Sequence, residues 1–227
     1  MRPVGILGGM GPEATILLMQ KCVAAIEAKD DSDHVPPIVH LNPQVPSRIA
    51  ALIHGDGGDP APVLIQMAQD LEHAGAKALA MPCNTAHHYA HLVAQSSPLE
   101  VLNMVDLTAA HLAKRDVRKV GMLASPAVRR VGVFDAAFRR NGVTPVYLAQ
   151  DGPVLALVQK LKRGAQDGQL AELERLARML LAEQCDHLLI ACTELSLLAE
   201  HLPKDVPWTD SLDCLVSEIV AFARDEP

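Results

Sequence analysis

Ala78-Leu79-Ala80-Met81-Pro82-Cys83-Asn84-Thr85-Ala86-His87 is the stretch on which the fold turns. Its first four residues are apolar without alternation. A strand with one face in water alternates, so this one is buried on both faces, as in a parallel sheet covered by helices. Pro82 ends the strand, and the polar Asn84 and Thr85 open a helical period. Ile190-Ala191-Cys192-Thr193-Glu194 repeats the arrangement: an apolar strand, then a cysteine, then polar residues before a helix start. Outward from these two stretches, strands are expected at 3–7, 37–41, 77–82, 99–103, 118–123, 143–148, 186–191 and 206–208. Helical periods fall near 12–29, 61–74, 85–96, 105–114, 128–140, 152–162, 168–184, 194–201 and 210–224. Strands alternating with helices predict an α/β protein with parallel central sheets in three layers. The loop Gly55-Asp56-Gly57-Gly58-Asp59-Pro60 reads as a mobile rim or lid.

The pattern also repeats internally. Val4-Gly5-Ile6-Leu7-Gly8 echoes Val120-Gly121-Met122-Leu123-Ala124, Cys83-Asn84-Thr85 echoes Cys192-Thr193-Glu194, and Val101–Asp106 loosely echoes Val206–Asp210. First strand and cysteine lie 79 residues apart in one copy and 72 in the other. Two similar α/β domains are therefore expected, the first from 1–103 plus 207–227 and the second from 104–206. A length of 227 residues fits one large or two small domains.

Composition narrows the function. Hydrophobic residues make up 49% and charged residues 21%, which excludes a disordered or low-complexity chain. Twenty basic against 27 acidic residues, with no Lys/Arg run longer than two, argues against nucleic acid. No run of eighteen apolar residues is present to cross a membrane. The start, Met1-Arg2-Pro3-Val4-Gly5-Ile6-Leu7-Gly8-Gly9, lacks a secretory signal's long apolar region, so a cytoplasmic protein is expected. Five cysteines without a C-x-x-C pair predict neither a disulfide framework nor a zinc ribbon.

Cys83 and Cys192 both fall at strand carboxyl ends, where ligands bind in open α/β sheets. A following helix N-terminus would lower a thiol pKa from about 8.5 and attract an anion. Two thiols facing one cleft between the halves suit a two-base shuttle, one removing a proton and the other delivering one to the opposite face. A hydrolase, decarboxylase or isomerase built on one thiolate, or a non-catalytic dicarboxylate binder, fits the same pattern less fully. Cys22, Cys185 and Cys214 read as packing residues. Gly9-x-Gly11-x-x-Ala14 partly matches a dinucleotide fingerprint. The second strand ends His40-Leu41-Asn42-Pro43 without the acidic residue such a site needs, so no nicotinamide cofactor is expected. The loop reads instead as close backbone approach to a small anion, through Gly9 and with Met10 at the site edge. His87 and His91 are spaced i, i+4 but have no third ligand, so no metal site is expected. Cys83 and His87 share that spacing, which permits a thiolate–imidazole pair, although a supporting role for His87 fits better. His88 and His91 read as solvent-facing.

Gly8-Gly9-Met10-Gly11-Pro12-Glu13-Ala14-Thr15, Cys83-Asn84-Thr85-Ala86-His87 and Cys192-Thr193-Glu194-Leu195, in this order, resemble the cofactor-independent aspartate/glutamate racemases over nearly the whole chain. The resemblance implies two domains related by a pseudo-twofold axis, an active site between them, no pyridoxal phosphate and a homodimer. It implies Cys83 and Cys192 as the acid/base pair, an acidic amino acid as substrate, and Arg48 and Lys162 as clamps for its side-chain carboxylate. Asn84, Thr85 and Thr193 are candidates for the α-carboxylate. Glu194 is either an anion at the cap or a partner for the substrate ammonium. One departure stands out: Ser47 and Ile49 flank Arg48 where an Asp and a Thr are expected, which bears on side-chain specificity.

Overall fold

The structure is a computed structural model, and it describes residues 1–164, 168–202 and 204–224. Residues 165–167 and 203 of the expected second domain, and 225–227 of the first, lie outside the described residues. The first half runs β1 (Val4–Gly8), α1 (Pro12–Ala24), β2 (Pro37–Leu41), α2 (Ala61–His73), β3 (Ala78–Ala80), α3 (Ala90–Ser96), β4 (Glu100–Leu102) and α4 (Met104–Lys114). The second runs β5 (Lys119–Ala124), α5 (Pro126–Arg130), α6 (Asp135–Asn141), β6 (Thr144–Val146), α7 (Gly152–Lys162), α8 (Gln169–Ala182), β7 (His187–Ala191), β8 (Trp208–Asp210) and α9 (Ser211–Arg224).

Two four-stranded parallel sheets result, ordered β2-β1-β3-β4 and β6-β5-β7-β8, the same order in each half. Register carries the repeat to single residues. Val4 pairs with Ala78 and Val120 with His187, and in both halves the cysteine lies five residues beyond that partner. Gly5 and Gly121 correspond in the same way. A Cβ on Gly5 would sit 3.1 Å from Leu71 Cβ, and one on Gly121 3.0 Å from Leu180 Cβ. Glycine at these positions lets α2 and α8 lie close on their sheets.

Each sheet is packed on both faces, which explains why β1, β3 and β7 are buried throughout and, His187 apart, apolar without alternation. One core holds Leu7, Leu64 and Leu79 on the α2 side of the first sheet; a second holds Val4, Ile6, Ala78 and Ala80 on its other face. That second core is closed by Leu212, Leu215, Val216 and Ile219 of α9, a helix that follows a strand of the second sheet. Conversely, α4 follows the last strand of the first sheet, yet packs Val105, Ala109 and Leu112 against Val120, Met122 and Leu189. The two halves thus exchange their last helices.

Several boundaries differ from expectation. The last strand is 208–210, not 206–208: Pro207 has no N–H to give the ladder, and only its carbonyl serves, accepting from Leu188 N. The chain therefore returns to the first half at Ser211, after β8 has paired with β7. The expected helix 128–140 is split between α5 and α6, with Gly132 at φ +62° in the break. Residues 85–89 and 195–201 are 3₁₀ turns, so neither cysteine precedes a full α-helix start. Residues 50–54 form a π turn with no clear periodic signal. No described helix is long and apolar enough to cross a membrane.

Candidate active site

The carboxyl ends of β1, β3, β5 and β7 and the connections after β2 and β6 converge on one small cavity of about 30 Å³. Met10, Arg48, Cys83 and Thr85 line it from the first half, and Lys162, Cys192 and Glu194 from the second. Seven of the expected site residues are thereby brought together. Arg48 and Lys162 come from equivalent connections, one after β2 and the other after β6. The space is small beside the few hundred Å³ of an ordinary small-molecule pocket.

Both thiols are buried, each 6% exposed. Cys192 Sγ donates to Glu194 Oε2 at 3.1 Å, and Glu194 Oε1 meets Lys162 Nζ at 2.9 Å. Burial, and then the Glu194 charge and hydrogen bond, push the Cys192 thiol well above its ordinary value. This corrects the expectation that a helix N-terminus would make Cys192 a ready thiolate: the turn after it is a 3₁₀ turn, and its nearest charged partner is an anion. Burial, the largest single influence, would drive the Lys162 ammonium down, but the Glu194 charge and hydrogen bond, with the two cysteines, together outweigh it and hold the amine above its usual range.

Arg48 is buried and held by main-chain oxygens. Its Nη1 donates to Val45 O at 3.2 Å and Pro46 O at 3.0 Å, and its Nη2 to Met10 O at 3.2 Å. Its Nε has no partner among the described residues. A buried guanidinium N–H without an acceptor is costly, and a carboxylate in the cavity is the natural acceptor. Thr85 Oγ1 lies 3.1 Å from Ser125 Oγ, which links the first cysteine turn to the end of β5.

Four expected residues lie off the cavity wall. Asn84 Nδ2 donates to Ser211 Oγ at 2.9 Å, leaving Oδ1 unpartnered, and Thr193 Oγ1 donates to Pro82 O at 3.0 Å. Both tie elements together instead of lining the space between the thiols. Gly9 has φ +93°, and a Cβ there would sit 2.4 Å from the Asn42 main chain. Its N–H is taken by Thr15 Oγ1 at 3.0 Å, so the close approach is to Asn42 and not to an anion. His87 Nδ1 lies 2.9 Å from Cys83 O, and Nε2 accepts from Met104 N at 3.1 Å. Both ring nitrogens bond main chain, and burial pushes the imidazole down to about 4, so a thiolate–imidazolium pair is not formed. His88 and His91 are exposed. Among the described residues no three His, Cys, Asp or Glu side chains are grouped to hold a metal.

Ser125 and Val158 line the cavity without having been singled out in the sequence; Ser47 and Ile49 line it too, at the departures flanking Arg48. A signal for Ser125 existed, since it occupies the repeat position of Gly9. The cavity thus sets two thiols, two cations and one carboxylate around a small space. That constellation can move a proton to or from a carbon held between two carboxylate anchors.

Known proteins share this arrangement of the chain. The family model for Asp/Glu/hydantoin racemases matches residues 7–219. The broad specificity amino-acid racemase RacX of Bacillus subtilis (strain 168) is 24% identical over 225 residues, 96% of each chain. The solved aspartate racemase of Picrophilus torridus superposes with a TM-score of 0.86 at 27% identity, covering 98% of this chain and 94% of that one. An aspartate racemase homologue of Pyrococcus horikoshii OT3, at 20% identity and a TM-score of 0.78 over 99% of this chain and 100% of that one, shares the fold. Matched over most of its length, the chain belongs to the Asp/Glu/hydantoin racemase family and is an enzyme of the racemase class.

Proposed function

We propose that the enzyme inverts Cα of an acidic amino acid, aspartate or glutamate, by proton transfer between Cys83 and Cys192 without pyridoxal phosphate. The observation that carries this reading is the charge inventory between the thiols: Arg48 and Lys162 are cationic and Glu194 anionic. An acidic amino acid carries the complementary set, two carboxylates and one ammonium. A neutral amino acid would leave one buried cation unmatched. Arg48 offers a planar fork for a carboxylate, and Lys162 a point charge.

In this mechanism one thiolate removes the Cα proton and becomes a thiol. The electron pair spreads into the α-carboxylate, where a donor such as Thr85 stabilises the enediolate-like charge. The opposite thiol gives its proton to the other face and becomes the thiolate. Cys192, held as a thiol by burial and by its bond to Glu194, suits the acid role at rest and leaves Cys83 as the first base. The opposite enantiomer uses the same pair with roles exchanged. Lys162 is held charged by Glu194, which ill suits it to a Schiff base that needs a neutral amine. A hydrolase built on Cys83 has less support, because His87 is committed to main-chain partners.

The same proposal places the enzyme in the reducing cytoplasm, as a homodimer. All five cysteines are free. Helix α1 exposes Ile16, Met19 and Val23 along one stripe, the kind of surface that copies of a chain bury.

Chiral separation tests the reaction. The purified enzyme is incubated with D- and L-aspartate, D- and L-glutamate, and alanine as the neutral comparison. Appearance of the opposite enantiomer of one acidic amino acid, ahead of alanine, is the expected result. Inversion of alanine in preference to both acids would overturn the substrate class.

A further inference from the structure

We infer that Asp210 and Ser211, at the junction of β8 and α9, are positioning residues that set the two thiols against each other. Ser211 fixes the Cys83 turn through Asn84, and Asp210 fixes the Cys192 turn through Ser196. The inference rests on the two-thiol reading above.

Ser211 Oγ accepts from Asn84 Nδ2 at 2.9 Å, and Asn84 directly follows Cys83. Asp210 Oδ1 accepts from Ser196 Oγ at 2.9 Å and from Leu212 N at 2.9 Å. Ser196 stands four residues beyond Cys192 and two beyond Glu194. All four side chains are buried, so water does not compete for these bonds. None of the four lines the cavity, so any effect they have on the chemistry passes through the turns that carry the cysteines and Glu194.

The junction is suited to the task by what holds it on each side. Asp210 ends a strand hydrogen-bonded to β7, which leads into Cys192. Ser211 begins a helix whose Leu212, Leu215 and Ile219 pack on the sheet that leads into Cys83. Two consecutive residues therefore belong to opposite halves, and each grips a different cysteine turn. The first half offers a contrast. Its corresponding junction, Asn103–Met104, also pins a residue four beyond its cysteine, because Met104 N donates to His87 Nε2 at 3.1 Å. Asn103 only caps α4, accepting from Val105 N and Asp106 N, and reaches no part of the Cys192 turn. Among the described bonds, the β8–α9 junction alone reaches both turns by side chain. Thr193 Oγ1 to Pro82 O, at 3.0 Å, joins the turns directly and gives the clamp a second point.

The test reads each thiol separately. Iodoacetamide modification of Cys83 and Cys192 is timed by peptide mass spectrometry in the wild type, S211A, D210A, D210N and S196A, alongside kcat and KM. S211A is expected to change the Cys83 rate about fivefold or more while Cys192 stays within about twofold, and D210A the reverse. S196A removes the same contact from its other end and gives the D210A result even if D210A folds poorly. D210N keeps an Oδ1 acceptor and stays close to wild type in both rates. In S211A, D210A and S196A kcat falls about ten- to a hundredfold with KM within about threefold, as expected when reacting groups are displaced by a fraction of an ångström to about one. Rates for the two thiols that stay unchanged, or that move together in every variant, would overturn the clamp. Separate responses of the two thiols in a protein that inverts no amino acid would leave the clamp standing and overturn the racemase reading.

Discussion

Glu194→Gln isolates what keeps Cys192 protonated, since it removes the charge and keeps the side chain's length. In the native site the Cys192 thiol gives its hydrogen to Glu194 Oε2 at 3.1 Å inside a buried cavity. A hydrogen bond to a charged group contributes about 1.5–3 kcal/mol, and a thiol, as a weak donor, belongs at the low end. About 1.4 kcal/mol is a factor of ten, so the Cys192 thiolate fraction at fixed pH should rise about tenfold. Lys162, released from its 2.9 Å contact with Glu194, pulls in the same direction. A less basic thiolate is also a poorer nucleophile, with a Brønsted slope of about 0.4–0.5, so the gain in alkylation rate is about three- to fourfold. The assay is iodoacetamide modification at pH 7.5, resolved by peptide, with the remote buried Cys22 and Cys214 as internal references. An unchanged or slower Cys192 rate in Glu194→Gln, with no increase in ultraviolet thiolate absorbance, would refute the assignment of Glu194 as the group that holds the proton on Cys192.

Other expectations follow from the same geometry. Lys162→Met should lower kcat/KM for the acidic substrate about ten- to a hundredfold while leaving any turnover of alanine within about threefold, which steady-state kinetics with both amino acids reads. Arg48→Lys keeps the charge but loses the fork, so KM should rise about tenfold or more, with thermal melting reporting any loss of the bonds to Val45, Pro46 and Met10. Burial first, and then the Asp213 charge, push the Asp210 carboxyl up to about 7, so its contribution to stability is present below about pH 4 and is lost as pH rises through 7. Asp210→Asn should therefore melt several degrees above wild type at pH 8, the gap shrinking toward pH 4. His87 and His187 are both pushed down to about 4, chiefly by burial, so in the Asp210→Asn background stability should be full above about pH 6.5 and fall between 6.5 and 4. Urea titrations across that range check the sign.

The architecture was readable because burial writes itself into composition. Ala78-Leu79-Ala80-Met81 can be apolar on both faces only inside a covered sheet, and the Val4 and Val120 echoes fix the two halves in register. The cysteines were readable because they end two equivalent strands. What the sequence did not disclose is where side chains point in the turns that follow. The polar residues after each cysteine read as ligand contacts, whereas Asn84 and Thr193 bond Ser211 and Pro82, partners 127 and 111 residues away in sequence. Nor does residue order reveal that Glu194 lies between Cys192 and Lys162, since that contact depends on α7 crossing the cavity from another connection. Ser125 was hidden for a similar reason: its value comes from facing Thr85, 40 residues away in sequence. Asp210 and Ser211 were hidden by a two-residue error in the last strand, enough to move the crossing between halves off the residues that make it.

The most direct test of the two-thiol account is loss of the Cα–H signal by proton NMR in D₂O, with each enantiomer of aspartate and glutamate supplied separately to wild type, Cys83→Ser and Cys192→Ser. The account predicts exchange with inversion of at least one acid by the wild type, and inversion reduced by orders of magnitude in both variants from either enantiomer, because each thiol is base in one direction and acid in the other. Near-wild-type inversion in either serine variant would contradict it.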